Sequence, residues 1–152
     1  MWLRNPFARL ITNETVHDDI QMSVDGGYSG DPWSEKLPIN TGFYLVRSNN
    51  KTISLFQTWY DKKDNSTGLK EQDVLLNLIN NGIIGSLGLK VRFLDTLYFS
   101  GFCQDSKDFK AVTTVHANCC RSITAKVGDL KAVLRVWKKF RKLGVDNIGA
   151  LT

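Results

Sequence analysis

The feature that most constrains this chain is the alternation of short β-favouring runs with segments of helical period. His17 to Val24 alternates apolar and polar residues over its second half, as a strand does, and stops at Asp25-Gly26-Gly27. Gly26 to Pro38 is a loop rich in Gly, Pro and Ser. Thr41 to Val46 is a short apolar run of the kind buried on both faces, closed by the turn residues Asn49-Asn50. Lys51 to Lys63 then places Ile53, Phe56, Trp59 and Tyr60 at helical spacing. Glu71 to Asn81 does the same with Val74, Leu75, Leu78 and Ile79, and Gly82 stands at its C-terminal end. Val91 to Leu94 and Val112 to Val115 read as further strands, with a loop from Ser100 to Asp108 between them. A last helix from Val127 carries Leu130, Leu134, Trp137 and Phe140 on one side. Strands interleaved with helices predict an α/β domain.

Composition agrees and excludes other classes. Across 152 residues, 42% are apolar and 11% aromatic, enough for a packed core and too apolar for a disordered chain. No apolar run approaches the ~18 residues that span a bilayer. The amino-terminal Met1-Trp2-Leu3-Arg4-Asn5-Pro6-Phe7 has no apolar core of the secretory-signal type. The net charge of +5 is local, because Lys126 to Lys142 holds seven basic residues against the single Asp129. That helix reads as a solvated face, without the interleaved aromatics of a nucleic-acid surface.

Cys103, Cys119 and Cys120 are an odd number, the adjacent pair is poorly placed to bridge itself, and no Cys-x-x-Cys pair exists. A complete disulfide scaffold, a zinc ribbon and a thioredoxin-type centre are therefore disfavoured. The partner of Cys103 stays open at this level. Three N-glycosylation tripeptides, beginning at Asn13, Asn50 and Asn65, weigh slightly toward a secretory lumen.

Four polar clusters fall at predicted strand ends or at a helix start, where open α/β sheets bind ligands. They are Ser23-Val24-Asp25, Asn40-Thr41-Gly42, Glu71-Gln72-Asp73 and His116-Ala117-Asn118-Cys119-Cys120. Each has a structural alternative. Asp25 before two glycines suits a turn, and Asn40-Thr41-Gly42 suits a cap or bulge. Acidic residues at 71 and 73 suit a helix dipole, and a lone His116 suits a hydrogen-bonded structural role.

In order, these blocks resemble one family. Met-Trp-Leu-Arg-Asn-Pro-Phe, Asp-Ile-Gln-Met-Ser-Val-Asp, Asn-Thr-Gly-Phe-Tyr-Leu-Val-Arg-Ser-Asn, Glu-Gln-Asp-Val-Leu and Val-His-Ala-Asn-Cys-Cys together resemble the plant nucleotide-diphospho-sugar transferase domain, over about residues 1–142. That domain belongs to the glycosyltransferase group of extensin arabinosyltransferases and pectin (rhamnogalacturonan) xylosyltransferases. The resemblance implies a GT-A type, Rossmann-like fold. It also implies transfer of a sugar, a pentose such as arabinose or xylose, from a nucleotide-diphosphate sugar to a hydroxyl of a cell-wall glycan or glycoprotein in the Golgi lumen.

The resemblance further implies residue roles. His116 matches a late metal-binding His, which with an Asp-x-Asp motif would hold Mn²⁺ (or Mg²⁺) against the leaving diphosphate. By similarity to glycogenin-like transferases, Gln72 lies beneath the anomeric carbon with Asp73 beside it as the catalytic pair. Asp25, Asn40 and Gly42 bind the sugar, while Asn118 and Lys126 lie near the diphosphate. Glu71 stands where the pattern has Asp, and Ser122 where it has a glycine.

In the family the Asp-x-Asp motif immediately precedes the block that here begins at Met1. The expectation is thus of an incomplete GT-A domain: residues 1–143 would form its carboxy-terminal portion and 144–152 a loose tail. The nucleotide-binding strands and membrane anchor would lie outside the sequence, leaving the chain inactive alone. The alternative is a non-catalytic sugar- or partner-binding remnant.

Overall fold

A computed structural model describes residues 1–144 other than 27, 29, 35–37, 104, 120 and 121. The chain is mixed α/β with small sheets and divides into two compact units. One runs from Phe7 to Asp95. The other joins Met1–Pro6 to the chain from Thr96 onward.

The Phe7–Asp95 unit is built on a three-stranded sheet. It contains helix α1 (Phe7–Leu10), strands β1 (Ile20–Val24) and β2 (Ile39–Val46), and helices α2 (Asn50–Asp61), α3 (Glu71–Asn80) and α4 (Ile83–Leu87). Strand β3 (Val91–Phe93) completes it. The strand order is β2-β1-β3, with β1 antiparallel to β2 and parallel to β3. Strand β1 is therefore central, and all five of its residues are buried. The apolar run at Thr41–Val46, expected to be covered on both faces, instead alternates between exposed and half-buried positions. It lies at the sheet edge, with a neighbouring strand on one side only.

Ile20, Met22, Val24, Ile39, Val91 and Phe93 from the sheet meet Leu55 of α2, Leu75 and Ile79 of α3, and Ile84 of α4 in one core. Helix α2 rotates away from the face its aromatic spacing predicts. Its buried residues are Thr52 and Leu55, whereas Ile53 and Tyr60 are exposed. The cause is the N-cap. Asn49 accepts from the Lys51 and Thr52 amides, and the Thr52 hydroxyl accepts from the Asn49 amide, so Thr52 is drawn inward. Helix α3 ends as its sequence predicts, with Gly82 at φ +81° just beyond it, and that turn starts the short α4, which the periodicity did not show.

The second unit pairs β4 (Phe99–Gly101) in parallel with β5 (Thr114–His116) and carries helix α5 (Ile123–Lys142). The backbone amides of Leu3 and Arg4 both donate to the Thr113 carbonyl. Leu3, Val112, Val115 and Trp137 form its core, with Leu130, Phe109 and Phe140 packed around them. Phe109, Trp137 and Phe140 contact one another at centroid separations of 5.3–5.5 Å. Arg4 lies 4.4 Å over the Trp137 ring.

Three sequence expectations for this unit need correction. Phe99–Gly101 is a strand, although Ser100 onward reads as loop. Helix α5 begins at Ile123 rather than Val127, because the Ser122 hydroxyl accepts from the Ala125 amide and caps it earlier. Leu134 is exposed, and Val133 packs on the core in its place. The tail expected from Gly144 falls, beyond Gly144 itself, outside the described residues. Among the described residues no helix is long and apolar enough to cross a membrane.

Candidate functional site

The site in the Phe7–Asp95 unit starts from an irregularity in the β1–β2 ladder. Met22 pairs with Tyr44, but the next residue, Ser23, pairs with Asn40, so Thr41, Gly42 and Phe43 have no partner on β1. This bulge removes the Thr41 and Gly42 amides from the ladder, and such donors need other acceptors. The Asn40 side-chain oxygen takes the Gly42 amide at 2.7 Å. The Gln72 side-chain oxygen takes the Thr41 amide at 3.1 Å.

Those two bonds orient both amide side chains. A backbone N–H can only donate, so each amide must turn its oxygen toward the bulge and its NH₂ away. Both NH₂ groups converge on Asp25. Asn40 Nδ2 donates to Asp25 Oδ1, and Gln72 Nε2 donates to Asp25 Oδ2 at 3.1 Å. Asp25 follows the last residue of the central strand, and its own amide donates to the Pro38 carbonyl at 2.8 Å. A carboxylate is thus fixed at the carboxyl end of β1 by side chains from β2 and from the first turn of α3. Asn40 is buried, and Asp25 and Gln72 are half-buried. Oriented carboxylate and amide groups with partial solvent access suit hydroxyl-rich ligands, because they offer directional acceptors and donors without prior rearrangement.

The remaining members of the Glu71-Gln72-Asp73 cluster have different surroundings. Asp73 Oδ2 accepts from the Lys70 amide at 3.0 Å, the helix-capping role that its position also suggests. Glu71 is exposed and accepts from the Thr41 hydroxyl at 3.3 Å.

His116, Asn118 and Lys126 belong to the second unit. His116 is the last residue of β5, half-buried, and its carbonyl accepts from the Phe102 amide. Asn118 Oδ1 accepts from the Cys103 amide at 2.9 Å, and its amide lies against Gly101, where a Cβ would stand 2.8 Å from Oδ1. Cys103 bonds to Cys119, across 16 positions, which resolves the pairing that the sequence left open between several partners. Cys120 lies outside the described residues. Lys126 is half-buried in the first turns of α5, and the helix's other basic residues are exposed, a solvated face as expected. Ser122 holds the α5 cap.

Among the described residues, no group of three or more His, Cys, Asp or Glu side chains is arranged to hold a metal ion. His116, Asn118 and Lys126 do not by themselves compose a metal centre.

The model of one protein family, nucleotide-diphospho-sugar transferase, matches residues 1–130. The chain belongs to this family. It is also 56% identical over 147 residues to Uncharacterized protein At1g28695 of Arabidopsis thaliana, covering 97% of the chain and 42% of that relative. A second Arabidopsis protein, Uncharacterized protein At4g15970, is 38% identical over 135 residues, covering 89% of the chain and 35% of the relative. The chain therefore spans about two-fifths or less of the curated relatives it matches. No solved structure gives a significant match.

Sequence patterning missed two features of the Phe7–Asp95 unit. One is the pair of carboxylates ahead of β1. Asp18 is fully buried and pairs with Arg92, with Lys90 Nζ 3.7 Å away, while Asp19 accepts from the Lys90 amide and from Asn49. Two acids at a strand start carry no periodic signal of burial, and their partners are tens of residues away. The other is an aromatic cleft between α2 and α3, hidden because Trp59 and Tyr60 read as core.

Proposed function

We propose that this chain supplies the sugar-binding part of a glycosyltransferase that moves a sugar, a pentose such as arabinose or xylose, from a nucleotide-diphosphate donor to a hydroxyl of a cell-wall glycan or glycoprotein. The observation that carries this reading is the Asp25 carboxylate held between Asn40 and Gln72 at the end of the central strand, in a chain of the nucleotide-diphospho-sugar transferase family. Asp25 and Asn40 accept and donate hydrogen bonds to ring hydroxyls, and Gly42 allows close approach of the ring to the bulge. Gln72 lies beneath the anomeric carbon, and its NH₂ holds the Asp25 carboxylate, whose negative charge steadies the positive charge that develops as the glycosidic bond breaks. Asp73, anchored through its cap, fixes the turn that presents Gln72.

In the same reading His116 is the ligand that this chain contributes to a Mn²⁺ or Mg²⁺ ion, whose charge would balance that of the diphosphate. Asn118 and Lys126 lie toward the diphosphate, and the reaction takes place in the Golgi lumen. The Cys103–Cys119 bond supports an oxidising lumen, since disulfides persist there and are rare in the cytosol.

The test is saturation-transfer NMR of the 152-residue chain with UDP-arabinose, UDP-xylose, UDP-galactose and UDP-glucose. Contact with the protons of a pentose ring is expected, and its loss in Asp25→Asn and Gln72→Ala with the circular dichroism spectrum unchanged. Absence of sugar contact, or contact indifferent to both substitutions, would overturn the assignment. Tight Mn²⁺-dependent donor binding in calorimetry would instead overturn the placing of only one metal ligand in this chain.

A further inference from the structure

We infer that the cleft between α2 and α3 is a subsite for a neutral glycan chain, the acceptor side of the sugar site. The inference rests on the reading of that site given above. The cleft has a volume of about 360 Å³ and is walled by Phe56, Trp59, Tyr60, Lys63, Ser66 and Glu71.

Its aromatic wall is ordered without being buried. Phe56 and Trp59 meet at 5.5 Å, Tyr44 backs Phe56 at 6.2 Å, and the Trp59 indole is fixed by donating to the Glu71 carbonyl at 3.0 Å. Tyr60 is nonetheless 61% exposed, with Lys63 Nζ held 3.8 Å above its ring. Clustered aromatic faces beside a cleft are a standing cost in water unless something covers them. The face of an aromatic ring carries negative potential, and the C–H face of a sugar ring meets it favourably. The hydroxyls around that sugar ring then need donors and acceptors at the edge, which Lys63, Ser66 and Glu71 supply.

Continuity with the sugar site decides the occupant. Glu71 is a wall of the cleft, and it also accepts from the Thr41 hydroxyl in the bulge that orients Gln72. A chain lying in the cleft would therefore run toward Asp25. A nucleoside diphosphate fits poorly, because the lining sets the Glu71 carboxylate against a single ammonium, Lys63. A proline-rich peptide fits poorly too, because its carbonyls need donors and the Trp59 indole N–H is already committed to Glu71.

The experiment follows the indole N–H resonances of the chain's four tryptophans, with Trp59 assigned through Trp59→Phe. Xylotetraose, arabinotetraose and galactotetraose are the glycan probes, and UMP and a polyproline decapeptide are the competing ones. At least one tetraose is expected to shift the Trp59 resonance with millimolar affinity, and Tyr60→Ala and Lys63→Ala to weaken it about five-fold or more. No shift from any tetraose up to about 20 mM would overturn the inference. So would a shift produced by UMP or polyproline instead, or a tetraose shift unchanged in Tyr60→Ala. Asp25→Asn separates the two readings: it abolishes pentose contact in the donor experiment while leaving the tetraose shift at Trp59. Glycan binding without donor contact would thus fail the sugar site alone, and donor contact without glycan binding would fail the cleft alone.

Discussion

Gln72 and Asp25, 47 positions apart, are joined at 3.1 Å by one hydrogen bond whose direction is set by a third residue, Thr41. Because the Thr41 backbone N–H can only donate, Gln72 must turn its oxygen to it and present its NH₂ to Asp25. Gln72→Ala should therefore remove three bonds at once, leaving the Thr41 amide without its acceptor, the Thr41 hydroxyl with Glu71 alone, and Asp25 without one of its donors. A loss of about 1–3 kcal/mol is expected, read from the urea midpoint. Asp25→Asn should be no milder, because its new NH₂ must face either the Asn40 or the Gln72 NH₂, and neither can turn without abandoning the bulge. A variant of unchanged stability in both cases would refute this network.

Asp18 is the buried anion of the sheet. Its side chain is fully enclosed, Arg92 pairs with it, and Lys90 approaches to 3.7 Å. Asp18→Ala leaves the Arg92 guanidinium, itself only 19% exposed and stacked 4.5 Å over Trp33, without a counter-charge. Destabilisation of about 3–5 kcal/mol is expected, and Asp18→Leu combined with Arg92→Leu should recover much of it, since removing both charges is milder than stranding one. Equilibrium unfolding of the three variants decides the matter.

The neighbouring Asp19 links stability to pH. Burial alone would raise its pKa, but the Lys90 amide, the Asn49 side chain and the Lys51 ammonium at 3.5 Å together outweigh that and lower it. A carboxyl whose folded pKa lies below its unfolded one stabilises the fold fully above the unfolded value, about pH 4, and less as pH falls through the folded value. Asp19→Asn should therefore be less stable than the parent near neutrality, and the gap should close below about pH 4. Thermal midpoints of both proteins from pH 3 to 7 check it, and parallel curves would refute it.

In the second unit Gly101 is required for reasons of space. A Cβ there would come within 2.8 Å of Asn118 Oδ1, the atom that accepts from the Cys103 amide. Gly101→Ala should push Asn118 aside and cost about 1–3 kcal/mol. Faster amide exchange at Cys103 is its specific signature, whereas an unchanged exchange rate would show that Asn118 adapts.

Much of the architecture was visible in the sequence because local signals and tertiary packing agree there. β1 stops just before Asp25-Gly26, Gly82 ends α3, and the apolar positions 74, 75 and 79 are the buried ones. Asp25, Asn40, Thr41, Gly42 and Gln72 also fell among the polar clusters, because these lie at predicted strand ends and at a helix start, and a bulge was one reading of Asn40-Thr41-Gly42. What stayed hidden depends on distant partners. The rotation of α2 follows from a cap that Asn49 shares with Asp19, the exposure of β2 follows from its place at the sheet edge, and the early start of α5 from a single serine hydroxyl. The roles suggested by family resemblance for His116, Asn118 and Lys126 concern ligands, which hydrophobic periodicity does not encode.

The three-residue bulge in β2 has a consequence for how this surface can change over evolution. In an uninterrupted ladder, adding or deleting one residue slips the register and turns every later side chain to the wrong face. Here Ile39 and Asn40 pair on one side of the bulge and Tyr44 to Val46 on the other, each stretch held by its own bonds to β1. The segment from Thr41 to Phe43 can therefore be lengthened, shortened or recoloured chemically while the core-facing pattern on both flanks survives. Complementarity to a new ligand can arise at that point without the sheet having to be rebuilt around it.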